Sequence, residues 1–229
     1  MAAGAVRDGT GDAVTVPSGD VVAEVCATRL VPVIVIDDAS AAAPLADALV
    51  AGDLRCAEVT FRTDAAESAV RAMSADGRLL VGAGTVITAE QVDRATDAGA
   101  RFIVSPGFSA AVVRRCQAVG VPVFPGVATA TEIIAALDAG VDLVKFFPAE
   151  SLGGVGMLKA LAAPFRSVRF IPTGGIAAAQ LADYLAVPAV AAVGGSWMVA
   201  PKLIADARWD EITKLTAEAV SVAAASRGK

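Results

Sequence analysis

The chain has 229 residues, 55% of them hydrophobic and 19% charged, with a formal net charge of −5; this describes a well-buried globular fold and excludes a disordered chain. The acidic balance, without any basic stripe, argues against nucleic acid as a partner. Histidine is absent, which excludes Ser-His-Asp triads, Cys-His pairs, histidine-ligated metals and imidazole acid–base chemistry, and leaves proton transfer to carboxylates, lysine, cysteine, Tyr184 or water.

The N-terminal run MAAGAVRDGTGDAVTVPSG lacks the apolar segment of a secretory signal, and its Gly, Asp, Thr and Ser content predicts a mobile tail over 1–17. One domain is expected over 18–229, beginning with a helix over 21–30. Strands are then predicted at PVIVI (32–36), AEVTF (57–61), LLVGAG (79–84), RFIVS (101–105) and VPVFP (121–125). DLVKFF (142–147), VRFIP (168–172) and AVAAVGG (189–195) complete the set. Helical spacing of apolar residues fills the intervals, at 41–51, 65–75, 89–98, 109–119, 130–139, 155–163 and 177–186, with a last helix over 209–225. Gly52, Gly99, Gly120 and Gly140 each follow an Ala-rich run, where a left-handed capping residue is expected.

Strands alternating with helices imply a parallel sheet, and this number of repeats in this length favours a closed (β/α)8 TIM barrel with an N-terminal extra helix. No apolar run reaches membrane-spanning length, so the expected address is the cytoplasm, without a membrane partner. Cys26, Cys56 and Cys116 are odd in number and widely spaced; they show neither a zinc pattern nor a disulfide framework and read as reduced, mostly buried thiols.

In this architecture active sites form where strands end and the following loops begin. In the second strand a period of two puts Glu58, Thr60 and Arg62 on one face and Val59 and Phe61 on the other. The apolar pair suits the helix-facing side, so Glu58 and Arg62 are expected to point inward. The same parity places Leu143, Lys145 and Phe147 inside and Val144 and Phe146 outside. An ion-pair cluster that merely fills the barrel would give the same pattern. Lysine chemistry supplies the sharper reading: burial or a neighbouring cation disfavours the ammonium form, and the neutral amine is the nucleophile that condenses with a ketone. Lys159, Lys202, Lys214 and Lys229 sit in helical, loop or terminal contexts, which leaves Lys145 for this role.

Two double-glycine turns follow the seventh and eighth strands, PTGGI (172–176) and VGGSW (193–197). Consecutive glycines let backbone N–H groups approach an anion, and these two loops are the usual phosphate site of the fold. Thr173 and Ser196 could add hydroxyl donors. Thr85 and Pro106 are expected on the pocket floor and Phe147 on its wall, whereas Gly107 and Gly126 read as simple turn residues. Glu150 reads as a surface or cap residue.

Together PVIVI, EVTFRT, VGAGTV, SPGF, PGVAT, VKFFPAE, RFIPTGGI and VGGSWM, in this order and over nearly the whole chain after the tail, resemble the 2-keto-3-deoxy-6-phosphogluconate (KDPG) and 4-hydroxy-2-oxoglutarate (KHG) aldolases. The resemblance implies a Schiff-base aldolase that releases pyruvate and glyceraldehyde 3-phosphate from a keto-acid without cofactor or metal, in a homotrimer. It implies that Lys145 is the Schiff-base lysine, Glu58 the general acid/base, Arg62 the partner of the pyruvyl carboxylate with Thr85 beside it, and Gly174, Gly175, Gly195 and Ser196 the phosphate end. Related members act on KHG or the galactonate isomer. One departure is Asp37-Asp38 after the first strand, where the family pattern has a basic residue; Asp38 also fits a helix N-cap. Competing readings are a phosphosugar isomerase or synthase barrel that needs no imine, a metal-dependent pyruvate aldolase held by carboxylates alone, and a non-catalytic phosphoanion-binding barrel or structural oligomer subunit.

Overall fold

The computed structural model describes residues 5–7, 13–15, 18–75 and 77–226. The expected tail, 1–17, lies outside these apart from two short strands, Ala5–Arg7 and Ala13–Thr15, which pair antiparallel. Helix α1 (Ser18–Thr28) is followed by β1 (Leu30–Ile34). Helices and strands then alternate: α2 (Ala42–Ala51), β2 (Cys56–Thr60), α3 (Ala66–Ser74), β3 (Leu80–Gly84), α4 (Ala89–Asp97), β4 (Phe102–Val104) and α5 (Ala110–Val119). Strand β5 comes in two pieces, Val123–Phe124 and Gly126–Val127, because Pro125 between them has no N–H to give a ladder. The chain continues through α6 (Ala130–Asp138), β6 (Leu143–Phe146), α7 (Gly154–Ala162), β7 (Arg169–Pro172) and α8 (Leu181–Leu185). It ends with β8 (Val193–Gly195), α9 (Pro201–Ala205) and α10 (Trp209–Ala225).

The fold is α/β with parallel strands. Each strand from β1 to β4 pairs with the next, β4 pairs with the first piece of β5, and the second piece pairs with β6, which pairs with β7. Strand β8 pairs with β1, and single bridges from Phe170 to Val190 and from Thr173 to Gly194 join the β7 and β8 segments.

Strands covered on both faces read as nearly continuous apolar runs, and the two faces feed separate cores. Val59, Val81, Ile103, Val144 and Phe170 face the helices and meet Leu45, Leu49, Val70, Val92, Ile133 and Leu158. Val31, Cys56, Leu80, Phe102, Phe124, Leu143 and Ile171 form the inner cluster, which Val21 and Val25 of α1 join. Phe102 and Phe124 anchor it, their ring centroids 5.6 Å apart. Cys56 and Leu143 share strand parity with Glu58 and Lys145, so the inner cluster forms the floor on which those two charged residues stand.

Three differences from the sequence reading have physical causes. Gly52 is not a left-handed cap: its φ is −81°, and Asp53 takes the positive φ instead, at 61°. Glycine is needed at 52 because a Cβ there would lie 2.7 Å from the Thr216 side chain of α10; Gly99, Gly120 and Gly140 do have positive φ. Gly126 is a strand residue rather than a turn, paired with Lys145 of β6, and it is glycine because a Cβ there would run into the Pro106 carbonyl. The helix Pro201–Ala205 was not anticipated, although proline at the first helical position is its ordinary start signal.

Among the described residues no helix is long and apolar enough to cross a membrane. The three thiols are free. Burial pushes Cys116 up to about 12 and raises Cys56 further, and Cys26, half-buried beside Arg169, is also raised by burial. Less thiolate at a given pH means slower alkylation. Iodoacetamide at pH 8 should therefore label native protein slowly at Cys26 and leave Cys56 and Cys116 untouched until denaturant is added. Mass mapping that finds Cys56 modified in native protein would contradict this packing.

Candidate active site

Strands β2 and β6 stand four places apart in the pairing order, so their inward side chains meet across the interior. Lys145 Nζ donates to Glu58 Oε1 at 3.0 Å, with the two side chains only 7% and 3% exposed. The desolvation of two buried charges roughly cancels their attraction, whereas removing one partner costs ~3–5 kcal/mol. Such a pair is a poor choice for stability alone, and its residue types need another reason. The ammonium also lies over the Phe147 ring, whose centroid is 5.4 Å from Nζ.

Missing side chains make the room for this contact. On β3 a Cβ at Gly84 would coincide with the Glu58 carboxylate, and one at Gly82 would enter the Phe102 ring. The strand sequence LVGAG thus turns two inward positions into space, one for the acid and one for the floor beneath it. Near the other end of the site, glycine at 194 leaves space for the Thr173 hydroxyl, and glycine at 195 for the Trp197 ring.

Above the pair opens a cavity of about 520 Å³. Its lining includes Lys145, Arg62, Thr85, Pro106, Phe147 and Thr173, and also Gly174, Gly175, Gly195 and Ser196. The structure therefore brings together every site residue expected from the sequence except one. Glu58, its side chain only 3% exposed, is not among the lining residues; it is hydrogen-bonded to Lys145, which is. Arg62 falls beyond the end of β2, in the turn, and is exposed at the cavity rather than buried in the barrel. Thr60, one step deeper on the same face, is buried and its hydroxyl donates to the Ile34 carbonyl at 2.8 Å.

The backbone around the cavity is unusual at several points. Thr85 has a φ of 59°, a conformation that a β-branched residue adopts at a cost of ~1–3 kcal/mol and that concentrates at functional sites. Gly174 and Gly175 have φ values of 104° and 78°, so the turn after β7 needs both glycines. Among the described residues the charged ones in the lining are Lys145 and Arg62; those at the glycine end offer backbone and hydroxyl groups. Trp197, Ile176, Val33 and Val35 add an apolar wall that the sequence reading did not assign. The close spacing of Trp197 to the double glycine in VGGSWM was its only signal.

Asp37 and Asp38 are exposed and neither lines the cavity. Asp38 caps a short 3-10 turn, accepting from Ser40 N at 2.8 Å and Ser40 Oγ at 2.7 Å; the backbone N–H lowers its carboxyl below the usual range, helped by the hydroxyl. Among the described residues no group of three or more Cys, Asp or Glu side chains could hold a metal ion.

Comparison with known proteins places the chain in a family. The family described as KDPG and KHG aldolase matches residues 21–215. The 2-dehydro-3-deoxy-phosphogluconate aldolase of Treponema pallidum is 49% identical over 195 residues, covering 85% of this chain and 93% of that protein. The KDPG aldolase of Legionella pneumophila, solved with pyruvate captured at low pH as a covalent carbinolamine intermediate, superposes with a TM-score of 0.83 at 42% identity, over 86% of this chain and 96% of that one. The Zymomonas mobilis ZM4 enzyme with 3-phosphoglycerate gives the same TM-score and identity, over 89% and 96%. A buried lysine–carboxylate pair beneath a glycine-rimmed cavity thus occurs in a chain that belongs to the KDPG and KHG aldolase family.

Proposed function

We propose that the protein is a Schiff-base aldolase that cleaves 2-keto-3-deoxy-6-phosphogluconate reversibly to pyruvate and glyceraldehyde 3-phosphate. The observation that carries this reading is the buried contact between Lys145 Nζ and Glu58 Oε1 at the base of the cavity. Family membership and the covalent pyruvate adduct of the Legionella relative support it. The reading includes a single closed (β/α)8 barrel over 18–229 with α1 across its lower end, a homotrimeric assembly and a cytoplasmic setting.

Proton transfer from Lys145 Nζ to Glu58 across their hydrogen bond leaves a neutral amine and a protonated acid. The amine attacks the C2 carbonyl of the keto-acid, whose carboxylate is held by the Arg62 guanidinium with Thr85 beside it. Protonated Glu58 gives its proton to the departing hydroxyl, so water leaves and the iminium forms. Glu58, again a carboxylate, removes the C4 hydroxyl proton through one bound water. The C3–C4 bond breaks, its electrons enter the iminium, and the aldehyde departs from a pyruvate enamine. Glu58 returns its proton to C3, and hydrolysis of the resulting iminium frees pyruvate and the amine. One carboxylate serves every step because its protonation alternates, which suits a chain without histidine. Phe147 and Pro106 wall the reacting carbons, and the glycine loops with Thr173 and Ser196 receive the phosphate end.

A second reading, cleavage of unphosphorylated KHG or of the galactonate isomer, uses the same lysine and acid; the absence of a charged side chain at the glycine end favours keeping it in view. A phosphoanion-binding barrel without catalysis would bind phosphate and form no imine.

Pyruvate with borohydride should irreversibly add mass to Lys145 in wild-type protein and add none to Lys145→Ala. Absence of the wild-type adduct, or the same adduct in the variant, would overturn the mechanism. Gly84→Ala should lower kcat for pyruvate release by about 100-fold, because small displacements of a catalytic group carry costs of that order, while Gly107→Ala, where a Cβ meets nothing within 4 Å, should leave kcat unchanged. Equal effects of the two substitutions would show that Glu58 does not depend on the space at 84. Pyruvate release from phosphorylated and unphosphorylated keto-acids should favour the phosphorylated one; the reverse preference would select the second reading.

A further inference from the structure

The turn Thr173–Gly174–Gly175 carries two left-handed glycines, and something must hold that shape when the loop is empty. Two backbone bonds dock it on the segment after β6: Ala149 N donates to Thr173 O at 2.8 Å, and Glu150 N to Gly174 O at 3.0 Å. The Glu150 side chain then reaches underneath. Its Oε2 accepts from Gln180 Nε2 at 2.5 Å, and its Oε1 accepts from the Tyr184 hydroxyl. Gln180 closes the circuit, because its Oε1 accepts from Ala177 N at 2.8 Å, and Ala177 lines the cavity at the far end of the same loop.

The surrounding residues are shaped to this carboxylate. A Cβ on Gly175 would lie 2.9 Å from Glu150 Cβ, and one on Gly154 would lie 3.0 Å from Glu150 Oε1. Tyr184 is fully buried, and its hydroxyl is pushed well above the ordinary phenol range, by burial first and then by the neighbouring Glu150. It is therefore a neutral donor throughout the range in which a metabolic enzyme works. Among the described residues Glu150 has no ion-pair partner within 4.0 Å; neutral donors alone satisfy it. A carboxylate on neutral donors beneath a substrate loop offers directional hydrogen bonds rather than charge neutralisation.

We infer that Glu150 is a positioning residue, which with Gln180 and Tyr184 fixes the 173–177 loop in the conformation that receives the phosphate tail of the substrate. The inference rests on the aldolase reading above. It assigns Glu150 no contact with the reacting carbons, so its loss should fall on KM for the phosphate-tailed substrate and spare the imine chemistry.

The test uses Glu150→Gln, which keeps the size but lets one amide oxygen replace two carboxylate acceptors, and Gln180→Ala, which removes one half-buried donor and leaves Tyr184 in place. Both are compared with wild type in kinetics on the phosphorylated keto-acid and on KHG, in inhibition by inorganic phosphate, and in pyruvate–borohydride trapping. KM for the phosphorylated substrate and the phosphate inhibition constant should each rise on the order of tenfold, the scale of one charge-assisted hydrogen bond. The kcat, the kinetics on KHG and the extent of trapping should stay near wild type. If both substrates suffer equally, or neither does, the positioning role is overturned, whichever variant folds. A wild type that forms no pyruvate adduct removes the aldolase reading itself, and the inference with it; a wild type that traps pyruvate beside indifferent variants removes only the role of Glu150.

Discussion

The site depends on the contact between Lys145 and Glu58, two opposite charges in a place from which water is excluded. Neither ion could be left alone there, since an uncompensated buried charge costs several kcal/mol. The fold meets that constraint from both sides. Strands β2 and β6 bring the residues together from opposite positions, and the inner apolar cluster beneath them excludes solvent. The glycines of β3 clear the volume that the acid occupies. A lysine held against its own proton acceptor can become a nucleophile without a second base, so the ion pair and the chemistry are the same interaction.

The two ends of the cavity use different physics. At the inner end, full charges on Lys145 and Glu58 act at 3.0 Å, sheltered from water, where electrostatic interactions are strongest, and the exposed Arg62 adds a cation at the cavity. At the outer end the described lining residues include no charged side chain; glycine backbone, Thr173 and Ser196 supply oriented dipoles instead. Oriented backbone depends on the loop keeping its shape, which is why the hydrogen bonds below Gly174 and Gly175 bear on recognition. A strained Thr85 lies on the lining too, so backbone conformation shapes more than one part of the cavity.

Much of this was legible in the sequence because strand periodicity is a local property. The inward face of Glu58 and Lys145 follows from counting by twos, and it is present although the strand ends differ by one or two residues. What failed depended on distance along the chain. Gly52 looked like a cap because it follows a helix, but Thr216, far away in α10, decides why it is glycine. Gly126 looked like a turn beside proline, but the Pro106 backbone occupies the space next to it. Glu150 looked like a surface residue because its donors, Gln180 and Tyr184, arrive from 30 and 34 residues away. Parity also says which face a side chain takes and nothing about depth, so it did not tell that Glu58 is buried against Lys145 rather than among the lining residues.

The central claim is that Glu58, hydrogen-bonded to Lys145, moves the proton at the carbon next to the imine. Exchange of the pyruvate methyl protons in D2O, followed by NMR, reads that single step without cleavage or phosphate. Wild-type protein should exchange them and Lys145→Ala should not; Glu58→Gln should form the borohydride adduct more slowly, having lost the acceptor and acid of imine formation, and per adduct formed its exchange should slow by roughly 10²–10⁴-fold, the usual contribution of a general acid–base group. Exchange at the wild-type rate in Glu58→Gln would contradict the account, because the proton would then be carried by another group.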